Sequence, residues 1–286
     1  MHRLIFSCTL SVLGGLALVA RAAAADAPPA PAVEKTEPAV AAVHRIATKE
    51  ELDLLNDALM KVANENGRWA YTQTTLAKDE KGRVKQDRIV RHDPSKPYAE
   101  QDVPLQISGK PPTEAELKDY RSRGEKRGRR IEERERLGQE PPPKQTVGDL
   151  IDLSRALIVG DSDGRLTYEL PLRKLGNTRF PPEKFQVFVR VAKDGHRLEF
   201  AAVKLREPLR AKLIVKISSG EAKADFAVVD PKYPSAMTAV RGNASASILF
   251  VSVGGNVDMK RTELKHVRPF EERFDVQIGP LKALDF

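Results

Sequence analysis

A chain of 286 residues with 41% hydrophobic and 31% charged side chains can bury a sizeable core beneath a heavily solvated surface, and its composition is that of a globular protein rather than a disordered one. The formal charge of +8 falls to 46 basic over 40 acidic residues once Arg3 and Arg21 are set aside, a mild excess that gives only weak, salt-screened attraction to an anionic surface. Cys8 is the single cysteine, so a chain cut after the leader has no disulfide, thiol nucleophile or thiolate metal ligand.

Residues 1–25 read as a secretory signal: His2 and Arg3, an apolar stretch from Leu4 to Ala20, then Ala23, Ala24 and Ala25 before Asp26, which places the expected cleavage between Ala25 and Asp26. No cysteine stands at the cut, so no lipid anchor is expected, and the mature protein is expected free in the periplasm. Residues 26–47 are rich in Pro and Ala without apolar periodicity and read as a disordered tether.

A capping box of Thr48 and Glu51 opens the first helix, with Leu52, Leu55, Leu59 and Val62 at helical spacing and a stop at Asn66-Gly67. Trp69 to Leu76 and Val84 to His92, joined by a polar turn at 78–82, read as a hairpin. The prolines at 94, 97, 111 and 112 predict an irregular crossing. Thr113 and Glu116 repeat the capping box and open a second helix, charged throughout, in which Ile131 is the only apolar residue of the 121–136 run. Such a helix is expected to be solvated, with no face to bury.

Strand signals follow: 156–159 with 166–170; Val187, Val189 and Val191 before a turn at 193–195; then 198–205. Two strands are expected either side of a turn at Ser219-Gly220-Glu221, one at 247–253 and one through Phe274, Val276 and Ile278. The sequence thus predicts an α+β domain over residues 48–286. A strongly curved antiparallel sheet, a half-barrel of at least seven strands, packs on one or two helices and carries a long charged helical insertion at about 114–140.

His92-Asp93-Pro94-Ser95-Lys96-Pro97, Gly109 to Glu116 and Arg268 to Phe274 resemble a pattern in uncharacterised exported proteins of Gram-negative bacteria, a resemblance that implies no particular activity. In element order the chain is also similar to periplasmic lipoprotein carriers of the LolA/LolB type. That likeness implies an incomplete barrel holding acyl chains against helices, although the charged helix departs from it.

The histidines beyond the leader, His44, His92, His196 and His266, lack metal-ligand spacing. His92 beside Asp93 reads as a turn pair before a catalytic one. Asp161-Ser162-Asp163-Gly164 looks like the start of a calcium loop, but the twelfth position is Leu172 and a hairpin turn explains the same residues. Trp69 and Tyr71 share a strand face and are the candidate wall of a ligand cavity.

The expected function is a non-enzymatic binding or carrier module for an apolar ligand, a lipid or an acyl chain, with no cofactor and no metal. The alternative is an envelope interaction or scaffold protein that meets a protein partner through its charged helix. A third reading is a hydrolase built on His92, Asp93 and Glu114. Interleaved glutamates and the scarcity of aromatics in the Arg-rich run exclude nucleic acid as a partner, and membrane contact is at most peripheral.

Overall fold

The computed structural model describes residues 42–139, 150–174, 181–211, 215–248 and 251–274. The leader, its cleavage point at Ala25 and Asp26, and Val276 and Ile278 lie outside the described residues. Among the described residues the fold is an open, antiparallel sheet with two long α-helices. Its strands in chain order are β1 (Ala42–Ile46), β2 (Trp69–Asp79), β3 (Val84–His92), β4 (Asp102–Ile107), β5 (Leu157–Ser162) and β6 (Arg165–Leu170), then β7 (Phe185–Ala192), β8 (Arg197–Leu205), β9 (Leu209–Ala211), β10 (Val215–Ala227), β11 (Ala236–Ile248) and β12 (Val251–His266). The helices are α1 (Lys49–Glu65) and α2 (Glu114–Arg136). No helix among the described residues is long and apolar enough to cross a membrane.

Across the sheet the order is β1-β5-β6-β7-β8-β10-β11-β12-β2-β3-β4, with β9 paired to β10. β4 stands at one edge and β5 beside β1 at the other, so the connection between them, which contains α2, crosses the sheet. Meanwhile β2 pairs with the far later β12, from Gly255 opposite Asp79 to His266 opposite Trp69.

Directly paired residues of an antiparallel ladder project to the same side. One row therefore crosses the sheet: Ile158, Tyr168, Val189, Ala201, Ala224 and Val240, continuing as Met259, Thr75, Arg88 and Ile107. The row is apolar as far as Met259 and polar at Thr75 and Arg88. Both helices lie on this face.

On the apolar half, Leu55, Ala58 and Leu59 of α1 pack into a buried cluster with Ile158, Leu166, Tyr168, Val189 and Val191. Each large aliphatic side chain removed from water there contributes roughly 1.5–3 kcal/mol. The Tyr168 hydroxyl, at the centre of this cluster, donates to the Glu51 carbonyl at 2.8 Å, so its polar end is satisfied within the helix it supports. The Thr48 capping box forms as expected, and the Glu51 carboxylate also accepts from both terminal nitrogens of Arg45, at 2.6 and 2.7 Å.

That clamp explains the first correction. Residues 42–46, expected within the disordered tether, form β1, paired to β5 and tied through Arg45 to the start of α1.

The second correction concerns α2. Although nearly all its side chains are charged or polar, it packs, and its buried residues are Gly124 and Gly128. A Cβ on Gly124 would overlap the carbonyl oxygen of Tyr98, and one on Gly128 would sit 2.7 Å from the Tyr98 ring. The helix buries its own backbone against the 98–100 turn, so it needs no apolar stripe.

Three strand expectations also change. Ser219-Gly220-Glu221 lies inside β10, whose extra residue is absorbed as a register shift between Ile217 and Ser219. The run 247–253 belongs to two strands, since Ile248 of β11 pairs with Val251 of β12. Phe274 ends a 3-10 turn rather than starting a strand.

Gly124→Ala should cost about 1–3 kcal/mol of stability in urea unfolding, because the clash with Tyr98 outweighs the roughly 1 kcal/mol that alanine gains in helix propensity. The Arg45 guanidinium, with the Thr48 N–H, holds the Glu51 carboxyl at about 2 against the opposing push of burial. A carboxyl depressed in the folded state stabilises fully above its unfolded value, near 4.5, and that contribution is lost as pH falls from there toward 2. Urea midpoints followed across this window should fall less steeply for Glu51→Gln than for the natural chain.

Candidate functional site: a basic groove beneath the charged helix

The polar end of the helix-bearing face is built by register. Tyr71 stands opposite His92 and His92 opposite Asp102, while Gln73, Val90 and Pro104 form the next row. β4 is an edge strand, where a proline such as Pro104 removes no ladder hydrogen bond that a neighbour needs. That is why a segment expected to be irregular pairs as a strand.

Because the two glycines bring α2 down on Tyr98, its residues Tyr120, Arg123 and Arg127, at i, i+3 and i+7, face these rows. Between helix and sheet lies a groove of about 460 Å³, within the range of small-molecule sites. Five cations line it, Arg88 from β3 and Arg123, Lys126, Arg127 and Arg130 from α2, against one carboxylate, Asp102.

Asp102 is committed. One oxygen takes the His92 Nδ1 hydrogen at 2.6 Å and the other accepts from Arg127 at 3.2 Å. Burial pushes its carboxyl up, but the His92 hydrogen bond and the charges of His92 and Arg127 more than offset this and hold it below the ordinary range. Arg127 also donates to the Gln101 side-chain oxygen at 2.8 Å, and the Gln101 amide in turn donates to the carbonyls of Pro94 and Lys96. A rigid loop thus orients the guanidinium. Its Nε is buried and has no hydrogen-bond partner among the described residues.

Arg123 pairs with Asp119 at 2.7 Å along the helix. Arg88 donates to the Tyr120 hydroxyl at 3.4 Å. Among the described residues no carboxylate lies within ion-pair distance of Arg88, Lys126 or Arg130. At the floor, Tyr71 is flanked by His92 at 4.9 Å and by the Arg261 guanidinium at 4.1 Å, so its ring is fixed.

The two expected cavity-wall residues have different places. Tyr71 lines the groove. Trp69, only 3% exposed, packs edge-on to Tyr233 and His266, outside it. The hydrolase trio is not assembled there. Asp93, just past the end of β3, is engaged by its own turn, where it accepts from the Ser95 N–H and hydroxyl. Glu114 is the first residue of α2 and does not line the groove. His196 and His266 hold Asp57 and Glu65. Asp163 and Gly164, both with positive φ, make the tight β5–β6 turn expected in place of a calcium loop.

Two of the three segments that carried the resemblance meet, and the other opens α2. The Phe270 N–H donates to the Pro94 carbonyl at 2.8 Å, the Tyr98 hydroxyl donates to Glu271 at 2.9 Å, and Thr113 caps α2. Sequence reading missed Arg88, Asp102 and Arg127. The available signal was the spacing of Gly124 and Gly128, one turn apart, with Arg123, Arg127 and Arg130 at i, i+4 and i+7. No family model, curated protein or solved structure matches the chain.

Asp102→Asn leaves Arg127 and His92 facing a neutral amide. The expected outcome is a loss of about 1–2 kcal/mol at neutral pH in urea unfolding, with helix content unchanged by circular dichroism.

Proposed function

We propose that the protein is an exported, non-enzymatic binding module of half-barrel form whose groove beneath α2 takes an anionic ligand. The observation that supports this is the surplus charge of the groove: five lining cations face one lining carboxylate that is already engaged, and among the described residues Arg123 alone of the five pairs with a carboxylate outside the lining, Asp119. A second hollow of about 490 Å³ makes the contrast. There three lining arginines, Arg165, Arg190 and Arg197, face two lining carboxylates, Asp163 and Glu199; Arg165 pairs with Glu199, and Arg197 pairs with Asp194 beside the hollow. Its three cations thus meet three carboxylates, where the five of the groove beneath α2 meet two.

Arginine supplies four of the five cations in the groove, and its planar fork matches an oxyanion in two hydrogen bonds where an ammonium offers a point charge. Much of the apolar half of the same face is covered by α1, and there an acyl chain would enter only by displacing that helix. The headgroup is therefore the part of a lipid that this reading places in the groove.

Lys126 and Arg130 are exposed and lack carboxylate partners among the described residues, so replacing them leaves the packing intact. In isothermal titration with citrate and pyrophosphate, at least one anion should bind one-to-one and weaken with added salt. The Lys126→Gln, Arg130→Gln double variant should lose about tenfold or more in affinity, the equivalent of about 1.4 kcal/mol. Absence of binding to either anion at physiological ionic strength would remove this reading.

A further inference from the structure

We infer that the ligand of the groove carries two phosphoryl groups, as in a diphosphate ester or a doubly phosphorylated headgroup; this rests on the anion-binding reading and narrows it.

The first argument is charge density. With Asp102 engaged inside the groove and Arg123 paired to Asp119 along the helix, the surplus is three positive charges, confined to about 460 Å³. A phosphate monoester carries about 1.5–2 negative charges at neutral pH and three acceptor oxygens, whereas a carboxylate carries one charge and two oxygens. Two phosphoryl groups therefore match the surplus in a compact ligand. Carboxylates would have to number three, spread over a carbon framework in the same small volume.

The second argument is placement. Arg123, Arg127 and Arg130 follow one face of α2 over seven residues, about 10 Å of helix axis, and Arg88 stands on the opposing wall. One monovalent group contacts only part of such a row, while two anionic groups joined through one oxygen or one small scaffold engage both its ends.

The third argument is the state of Arg127. Its two terminal nitrogens are spent on Asp102 and Gln101, and its buried Nε has no partner among the described residues. A buried N–H left unpaired is costly, and being enclosed this one is not itself a contact for a ligand in the open groove. The ion pair with Asp102 holds the guanidinium in place before any ligand arrives, so little side-chain freedom is lost on binding.

The test is isothermal titration of the mature chain with pyrophosphate, orthophosphate and citrate at fixed ionic strength, in the natural sequence and in Arg130→Gln, with Arg136→Gln, an exposed position paired to Glu133, as control. The expected result is pyrophosphate binding at least about tenfold tighter than orthophosphate or citrate, with a comparable loss in Arg130→Gln and none in Arg136→Gln. Citrate equal to or tighter than pyrophosphate, or pyrophosphate unaffected by Arg130→Gln, would overturn the diphosphoryl inference while leaving an anion site. No binding of any of the three would overturn that inference and the anion-binding reading together. Flotation with phosphatidylcholine vesicles carrying diacylglycerol pyrophosphate, against vesicles of phosphatidylcholine alone, separates the two sources. Recruitment that free pyrophosphate displaces identifies a lipid headgroup, and pyrophosphate binding without recruitment identifies a free diphosphate compound.

Discussion

Where Gly124 and Gly128 face Tyr98, α2 presents no side chain, and its backbone rests on the 98–100 turn. The separation between the helix and β3 follows from that contact, and with it the width of the groove. A helix docked through bulky apolar residues would stand about 8–10 Å from its neighbour, axis to axis, and would place aliphatic side chains where Tyr120, Arg123 and Arg127 now stand. Docking through glycine instead lets a helix of charged residues approach a sheet while its arginines remain on the inner side. Two mid-helix glycines lower helix propensity by roughly 1 kcal/mol each, which the Thr113 capping box partly offsets at the helix start.

The face beneath both helices changes character along a single row of paired residues. From Ile158 to Met259 it is apolar and α1 covers much of it; at Thr75 and Arg88 it becomes polar and α2 covers it. The junction of these halves is the β12–β2 pairing, where Arg261 reaches the Tyr71 ring and the Gln73 side chain. A well-packed core beside the groove gives its floor residues fixed rotamers. Tyr71, held between Arg261 and His92, is an instance of a binding wall kept rigid by neighbours that do not themselves need to touch a ligand.

Features carried by local sequence were legible. Both capping boxes, the β2–β3 hairpin, the β5–β6 turn and the alternation of β7 and β8 depend on residues within a few positions of one another, and each stands where the pattern put it. What failed to show depends on partners distant in the chain. β11 and the first half of β12 are rich in Gly, Ala, Ser and Asn, so they lack alternation and are held by two long neighbours. Pro104 masks β4, tolerable only because the strand lies at an edge. The His92–Asp102 pair needs the β3–β4 register, whereas the adjacent Asp93 was visible and points elsewhere. Residues 114–140 hold nine basic and eight acidic residues, nearly neutral as composition; segregation of Arg123, Arg127 and Arg130 onto the sheet-facing side is a property of the docked helix.

The pairing of β2 with β12 also bears on the order in which the molecule comes together. Trp69 and His266 are register partners, almost two hundred residues apart in the chain, and contacts of such sequence separation form slowly because a large loop must close first. The core under α1 waits in the same way, since Leu55 packs with Val189 and Val191. Apart from Arg261, which steadies the floor, the groove is drawn from residues 71–130, a contiguous stretch closed by one hairpin, one edge strand and one helix. Binding surface and stabilising core are therefore assembled on different clocks: the basic walls can meet early and locally, while the sheet that gives them permanence is completed by its last long strand.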